Sequence, residues 1–214
     1  MNLMMECPVK PIEIKEGNVV LVEGYDDKRF LDSLIKYLGL SGIQTIALGG
    51  ASNLRPHLDV LKISPEFHKV GTLTMILDSD SDPAGTLQSA CAHLSNTGLA
   101  VPKKLRSFAP GHPRTCVYLM PRDNMQGMIE DLCLESVAGE PEMVCVDSYF
   151  ACLKAKGHSY PRNESKAKVQ VFLASKEKVL QFGPASEAGY WPWDCTAFKD
   201  LRDFLSQVST GSIP

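Results

Sequence analysis

The sequence predicts an α/β fold with a parallel four-stranded sheet, helices on both faces and a C-terminal helical extension. Two observations support this prediction. Short apolar runs rich in β-branched residues alternate with segments whose apolar side chains recur at helical spacing, as in strand–helix–strand units. After about residue 140 the strand-like runs stop and only helix-like segments follow. We therefore expect a core over residues 17–140 and an extension over 141–214, packed together as one unit.

Four short apolar runs are the predicted strands. Each is bounded by glycine, proline or polar residues, which is typical of strands buried on both faces of a parallel sheet. They cover residues 19–22, 43–48, 73–77 and 116–120.

Seven segments have the apolar spacing of a helix face. The first contains residues 30–38, with Asp26 or Asp27 as its cap and Gly39 as its end. The other predicted helices cover residues 53–61, 84–94, 127–137, 143–156, 165–174 and 197–208.

Composition places the chain among ordinary globular proteins, with 44% hydrophobic and 22% charged residues. No apolar run of about 18 residues is present, so no membrane span is expected. The N-terminus lacks the basic stretch and apolar core of a signal peptide. The seven cysteines form no CxxC pair, which disfavours a zinc ribbon and favours free thiols. Together these features predict a cytoplasmic location.

Acidic side chains follow two of the predicted strands. Glu23 comes after the first strand, and Asp78 and Asp80 come after the third. Ligand sites of parallel sheets lie at the carboxyl ends of the strands, and neighbouring strands are about 4.8 Å apart. If the first and third strands are neighbours, these carboxylates meet. Asp78 and Asp80 are two residues apart, so extended backbone would project both to the same side.

Carboxylates gathered in a partly dry cleft repel one another, and a divalent cation relieves that repulsion. Ligands that are all oxygen suit Mg²⁺ or Mn²⁺. An EF-hand calcium loop starting at Asp78 is excluded. Its sixth position would need glycine and has Pro83, and its twelfth would need glutamate and has Ser89.

Two motifs resemble the Toprim domain. The first is Val-Val-Leu-Val-Glu-Gly at 19–24 with Asp27 and Phe30, and the second is Ile-Leu-Asp-Ser-Asp at 76–80. Toprim domains occur in topoisomerases, bacterial primases, small ribonucleases and OLD-family nucleases, with a glutamate after the first strand and DxD after the third. The resemblance covers roughly residues 17–135.

The chain most resembles a stand-alone group of Toprim-like proteins, the DUF3226 family, related to OLD-family nucleases. Three further stretches, at 127–132, 165–170 and 189–193, support this. The first is similar to an OLD-type helix whose glutamate serves a second metal ion. The second is similar to the stretch that carries a lysine near the scissile phosphate.

The resemblance implies metal-dependent hydrolysis of phosphodiester bonds in DNA or RNA, with Mg²⁺ or Mn²⁺ as cofactor. Glu23 would be the general acid or base, or a metal ligand. Lys168 or Lys166 would offset the charge that develops on the phosphate. Asp78 and Asp80 would hold one ion, and Asp27 and Glu130 would contribute to a second. The implied metal ligands are thus Glu23, Asp27, Asp78, Asp80 and Glu130.

A local excess of basic residues over 152–178 suggests a path for a nucleic-acid backbone. Lys154, Lys156 and Arg162 are the residues we expect to bind it. The alternative is a solvated helix face. The sequence leaves open whether the nucleic acid is DNA or RNA, whether a separate protein partner takes part, and whether the chain forms a homo-oligomer.

The chain departs from the larger Toprim proteins. It has no P-loop motif, so ATP hydrolysis by a P-loop is excluded. One rival function is a non-catalytic module that binds nucleic acid or protein. Another is a phosphatase of the haloacid-dehalogenase type with Asp78 as nucleophile. That motif needs Thr or Val at its fifth position, where this chain has Asp82, and it leaves Glu23 unexplained.

Overall fold

A computed structural model of the protein describes residues 12–159 and 161–210. The signal-peptide prediction and Cys7 fall outside the described residues. Within them, the predicted parallel α/β sheet of four strands is confirmed. The strands are β1 Asn18–Val22, β2 Ile43–Ala47, β3 Thr72–Asp78 and β4 Arg114–Met120.

The order of the strands places β1 and β3 side by side in the centre of the sheet. The order is β2-β1-β3-β4, and all three pairings are parallel. Val22 at the end of β1 pairs with Ile76 of β3. After β1 the chain adds β2 on one side of it, and β3 and β4 then follow on the other side. The gap between the ends of β1 and β3 is therefore the switch point, where parallel sheets bind ligands.

Helices cover both faces of the sheet, as the sequence predicts. Within the described residues they are α1 Tyr25–Tyr37, α2 Leu54–Ile63, α3 Pro83–Asn96, α4 Ile129–Ser136, α5 Pro141–Ala155, α6 Glu164–Ala174, α7 Phe182–Glu187 and α8 Lys199–Thr210. Short 3₁₀ turns lie at Ala51–Asn53, Pro65–Lys69 and Thr196–Phe198. None of the described helices has the length and apolarity that crossing a membrane requires.

Alternate residues of the strands face two separate apolar clusters. Val19 and Leu21 face the cluster that α2 and α3 complete. Val20 and Val22 face the larger cluster, which contains side chains from α1 and from α4 to α8. Burial on both faces explains why the strands are continuous apolar runs.

The segment after α6 is fixed against α1 by aromatic packing. The ring of Phe30, in α1, lies 4.9 Å from Trp193 in an edge-on contact and 5.8 Å from Phe182 in a stacked one. Trp191 is buried, and its indole N–H donates to the hydroxyl of Ser186. These contacts hold residues 182–193 against α1, the helix that follows β1.

The start of α1 is fixed by one of the acidic residues. The Asp27 carboxylate accepts a hydrogen bond of 2.7 Å from the backbone N–H of Gly24. The helix starts earlier than the sequence predicts: Gly24 is the N-cap residue, and Asp27, in the first turn, reaches back to its N–H. Gly39, with a φ of 64°, lies just beyond the other end of α1.

Candidate active site

Glu23 and Asp78 meet at the carboxyl end of the sheet. Glu23 directly follows β1, and Asp78 is the last residue of β3. Glu23 Oε1 accepts a hydrogen bond of 3.2 Å from the backbone N–H of Asp78. The convergence of these two strand ends is therefore as the sequence predicts, and it follows from the parallel pairing of β1 with β3.

Asp78 lies at the centre of a group of acidic side chains. Its Oδ1 accepts a hydrogen bond of 3.1 Å from the N–H of Ile129, the first residue of α4. Burial raises the pKa of Asp78 well above its usual range, and the charges of Asp27, Glu23 and Glu130 raise it further. The four carboxylates are thus close enough to interact electrostatically.

Glu130 pairs with a lysine side chain beside this group. It lies in the first turn of α4 and is only 4% exposed. Its Oε1 is 3.4 Å from Nζ of Lys166, in the first turn of α6. The charges of Glu130, Asp27 and Asp78 raise the pKa of Lys166. Lys166 is therefore held in its charged form beside the carboxylates.

The protonation of Glu23 is poised near neutral pH. Burial raises its pKa to about 7, the hydrogen bond from Asp78 lowers it, and the charges of Asp80 and Asp27 raise it. Burial is also the largest cause of the raised pKa values of Asp27 and Glu130. Several carboxyls with raised pKa values in one cleft are typical of a functional site, because active sites are where burial and like charges shift pKa values.

These raised pKa values predict how stability depends on pH. Between pH 4.5 and about 7 the folded state binds more protons at Glu23 than the unfolded state, so the free energy of unfolding falls as pH rises. Glu23→Gln removes this loss. In EDTA at pH 8 we expect the variant to exceed wild type by about 1–2 kcal/mol, after allowing for partial screening by solvent. Denaturant melts at pH 5 and pH 8 measure the difference.

Glu177→Gln is the matched control, because Glu177 is exposed and is not among the groups that shift the pKa of Glu23. Its stability relative to wild type should not change between the two pH values. If Glu23→Gln behaves like this control, the Glu23 carboxyl is not held protonated by its surroundings.

Asp80 departs from the geometry that the sequence predicts. The prediction of extended backbone is wrong at this residue, because its φ is 47° in the left-handed region. The N–H and carbonyl of Asp80 are both bonded to Gly127, at 2.9 and 2.7 Å. Aspartate tolerates this conformation better than most residues do. Asp80 still acts on Glu23 electrostatically, but it is separated from the cleft that Asp27 and Glu130 line.

Ser79 positions the site and was not anticipated from the sequence. It is fully buried between the two aspartates, and its hydroxyl donates to the carbonyl oxygens of Met125 and Gly127. These bonds tie the end of β3 to the loop that leads into α4. The Asp-Ser-Asp run could have suggested this role, because a small hydroxyl between two acidic side chains is suited to a backbone contact.

Asp82 and Asp26 lie at the edge of the acidic site. The Asp82 side chain caps α3 by accepting a hydrogen bond of 2.9 Å from the N–H of Gly85. Asp26 is an exposed residue on the rim of the cleft.

Lys168 is not brought to the acidic group. Its Nζ lies 3.0 Å from Asp147 on α5 and 3.2 Å from Glu164 on α6. Of the two lysines that the resemblance offers, only Lys166 reaches the carboxylates. The residues expected to bind nucleic acid, Lys154, Lys156 and Arg162, are exposed, and they do not line the cleft at the acidic group.

Two clefts open on the pair Glu23 and Asp78. The larger one has a volume of about 1000 Å³ and also contains Asp27, Glu130 and Lys166. The smaller one, of about 370 Å³, is lined by the 78–82 loop and the start of α3. The two acidic residues form the boundary that the clefts share.

The side chains do not form a ready-made metal cage. Within residues 12–159 and 161–210, no group of three or more His, Cys, Asp or Glu could hold a metal ion as the side chains stand. The arrangement that does exist is an electrostatically coupled set of carboxylates around Asp78, with Lys166 beside it.

Comparison with known proteins yields one match. The family model described as "Protein of unknown function (DUF3226)" matches residues 17–210, which is most of the chain. No curated protein and no solved structure gives a significant match. The match includes β1, β3, α4 and α6, and therefore every residue of the acidic group. The chain belongs to the DUF3226 family.

Proposed function

We propose that this protein hydrolyses phosphodiester bonds of nucleic acid with the help of Mg²⁺ or Mn²⁺. One observation carries the proposal: Glu23, Asp27, Asp78, Glu130 and Lys166 converge on one cleft at the switch point of the sheet. The resemblance of the two acidic motifs to the Toprim domain supports it. So does the chemistry of the group, in which acidic oxygens and a cation surround the place where a phosphate would bind.

The donor set suits a hard divalent cation. Mg²⁺ usually takes only one or two carboxylates from the protein and completes its coordination with water and substrate phosphate. Asp78 would be the shared ligand, because it interacts with Glu23, Asp27 and Glu130 alike. When bound, the ion would polarise a phosphoryl oxygen and neutralise charge in the transition state.

Glu23 and Lys166 have separate proposed roles. With a pKa near 7, Glu23 is suited to take the proton of the water that attacks phosphorus, since a general base works best near its own pKa. Lys166, charged and exposed on the rim of the acidic group, is placed to stabilise the negative charge that develops on the phosphate as the P–O bond breaks.

A non-catalytic binding module is the second candidate function. The observation that favours it is the lack of three or more metal-holding side chains among the described residues. Under this alternative the protein would bind nucleic acid or a protein partner without turnover. The phosphatase of the haloacid-dehalogenase type is less well supported, because it assigns no role to Glu23 beside Asp78.

A cleavage assay distinguishes the two candidates. Labelled single-stranded DNA, duplex DNA and RNA are incubated with purified protein in Mg²⁺, Mn²⁺ or EDTA. We expect cleavage with either cation and none in EDTA. Metal-dependent binding without cleavage of any substrate would contradict hydrolysis and support the binding module.

A further inference from the structure

The larger cleft is acidic at one end and apolar along one wall. Beyond the carboxylates it is lined by Val169 and Leu173 of α6 and by Val179, Leu180 and Phe182 of the following segment. Phe182 is held in place by its ring contacts with Phe30 and Trp191. Hydrolysis of a phosphodiester alone does not require an apolar wall, so this part of the cleft needs its own explanation.

A large aromatic side chain lines the same cleft beside the carboxylates. Tyr25, the first residue of α1, is 72% exposed. Its ring is bordered by backbone without side chains, because Gly49 and Gly50 line the cleft next to it. A Cβ added at Gly49, where φ is 73°, would lie 4.0 Å from ring atom Cε2 of Tyr25. An exposed ring with bare backbone next to it leaves room for a flat group to stack.

Two side-chain amides complete the lining. Gln170 and Gln181 line the cleft and make no side-chain hydrogen bond with any part of the chain that the structure describes. An amide offers both donors and an acceptor, which is the pattern needed to pair with the edge of a base.

The size of the cleft limits what can enter it. A volume of about 1000 Å³ is that of a small-molecule site and accommodates one or two nucleotides but no duplex. A base within a duplex is stacked and paired, so it must leave the helix to reach such a cleft. The lining of the larger cleft contains five carboxylates and one lysine, and its other side chains include apolar and aromatic ones. That combination suits a ligand with an anionic, metal-binding part and a flat apolar part.

We propose that the apolar part of this cleft, with Tyr25, binds the base of an unpaired nucleotide whose phosphate lies at Glu23 and Asp78. The inference rests on the proposed function and makes it more specific: the substrate is a single-stranded nucleic acid or a strand end, or a free nucleotide. Stacking on an aromatic side chain tolerates any base, so sequence preference should be weak.

The test compares two probes that differ only in their bases. Fluorescent oligo(dT) of ten nucleotides and an abasic strand of the same length are titrated in Ca²⁺, with wild-type protein and with Tyr25→Ala. Wild type should bind oligo(dT) about tenfold more tightly than the abasic strand, and Tyr25→Ala should remove this difference. Tyr25→Phe should retain it. A ten-base-pair duplex should compete weakly with fluorescent oligo(dT). Competition by dTMP would assign the site to a free nucleotide, and lack of it would assign the site to a strand.

Tyr37→Ala is the matched control, because Tyr37 is the last residue of the same helix, is 54% exposed and does not line the cleft. The base site would be overturned if wild type bound the two strands equally tightly, or if Tyr25→Ala kept the preference for oligo(dT). Metal-dependent binding of that kind would not contradict the proposed hydrolysis. Absence of binding to any probe would overturn both. Tight capture of the duplex alone would show that the cleft is not the nucleotide site.

Discussion

Asp78→Asn is expected to lower Mg²⁺-dependent cleavage by more than about a hundredfold. Mutating even a residue that only supports a metal ligand typically costs 10- to 100-fold in activity or metal affinity. Asp78 is the carboxylate that interacts with Glu23, Asp27 and Glu130. Asparagine keeps the volume and still accepts the hydrogen bond from Ile129, so the fold should persist. Initial rates on a labelled single strand, with thermal melts in Mg²⁺ and EDTA, measure both effects.

Asp82→Asn provides the control for this prediction. It removes one negative charge from the same loop, and asparagine caps a helix about as well as aspartate does. Its cleavage rate should stay within about twofold of wild type. Full activity in Asp78→Asn would exclude the proposed site, while equal losses in both variants would indicate a general effect of charge on nucleic-acid binding.

Lys166→Met is expected to reduce the rate by about a hundredfold, whereas Lys168→Met should leave it nearly unchanged. Removing one electrostatic contact to the charge of a transition state typically costs 10²–10³ in kcat. Lys166 pairs with Glu130 inside the acidic group, and Lys168 pairs with Asp147 and Glu164 outside it. Single-turnover rates at saturating protein measure chemistry separately from binding.

The two lysines are matched in chemistry and in helix, so each serves as the other's control. Melting curves check whether Glu130, left buried without its cation, destabilises the Lys166 variant. A larger loss of rate for Lys168→Met than for Lys166→Met would reverse the assignment made from the geometry.

The strands and the pairing of Glu23 with Asp78 could be predicted from the sequence. Runs such as 19–22 and 73–77 are buried on both faces, and a continuous apolar run bounded by polar residues is a strong signal. Once two such strands are neighbours, their terminal carboxylates must meet. The structure supports this part of the prediction and leaves the chemistry as a proposal.

Other features depend on tertiary contacts that no short pattern reports. The left-handed backbone of Asp80 is imposed by its two hydrogen bonds to Gly127, which lies far along the chain. Helix α7 has only six residues and contains glycine and proline. It is held by the packing of Phe182 against α1 rather than by propensity.

The choice between Lys166 and Lys168 could not be made from the sequence either. Residues two apart on a helix lie on nearly opposite sides, and only the docking of α6 on α4 decides which side faces the carboxylates. Polar contacts contribute to that docking: the hydroxyl of Ser165 donates to Asp131, and Lys166 pairs with Glu130.

That docking also ties the site to the completion of the fold. The strands that carry Glu23 and Asp78 bury one face against α1 and α4 to α8, and α6 among these carries Lys166. Because a domain generally folds as a unit, the carboxylates and their lysine should come together in one step, after the C-terminal helices have left the ribosome. A chain cut before α6 should therefore lose the sheet together with the lysine.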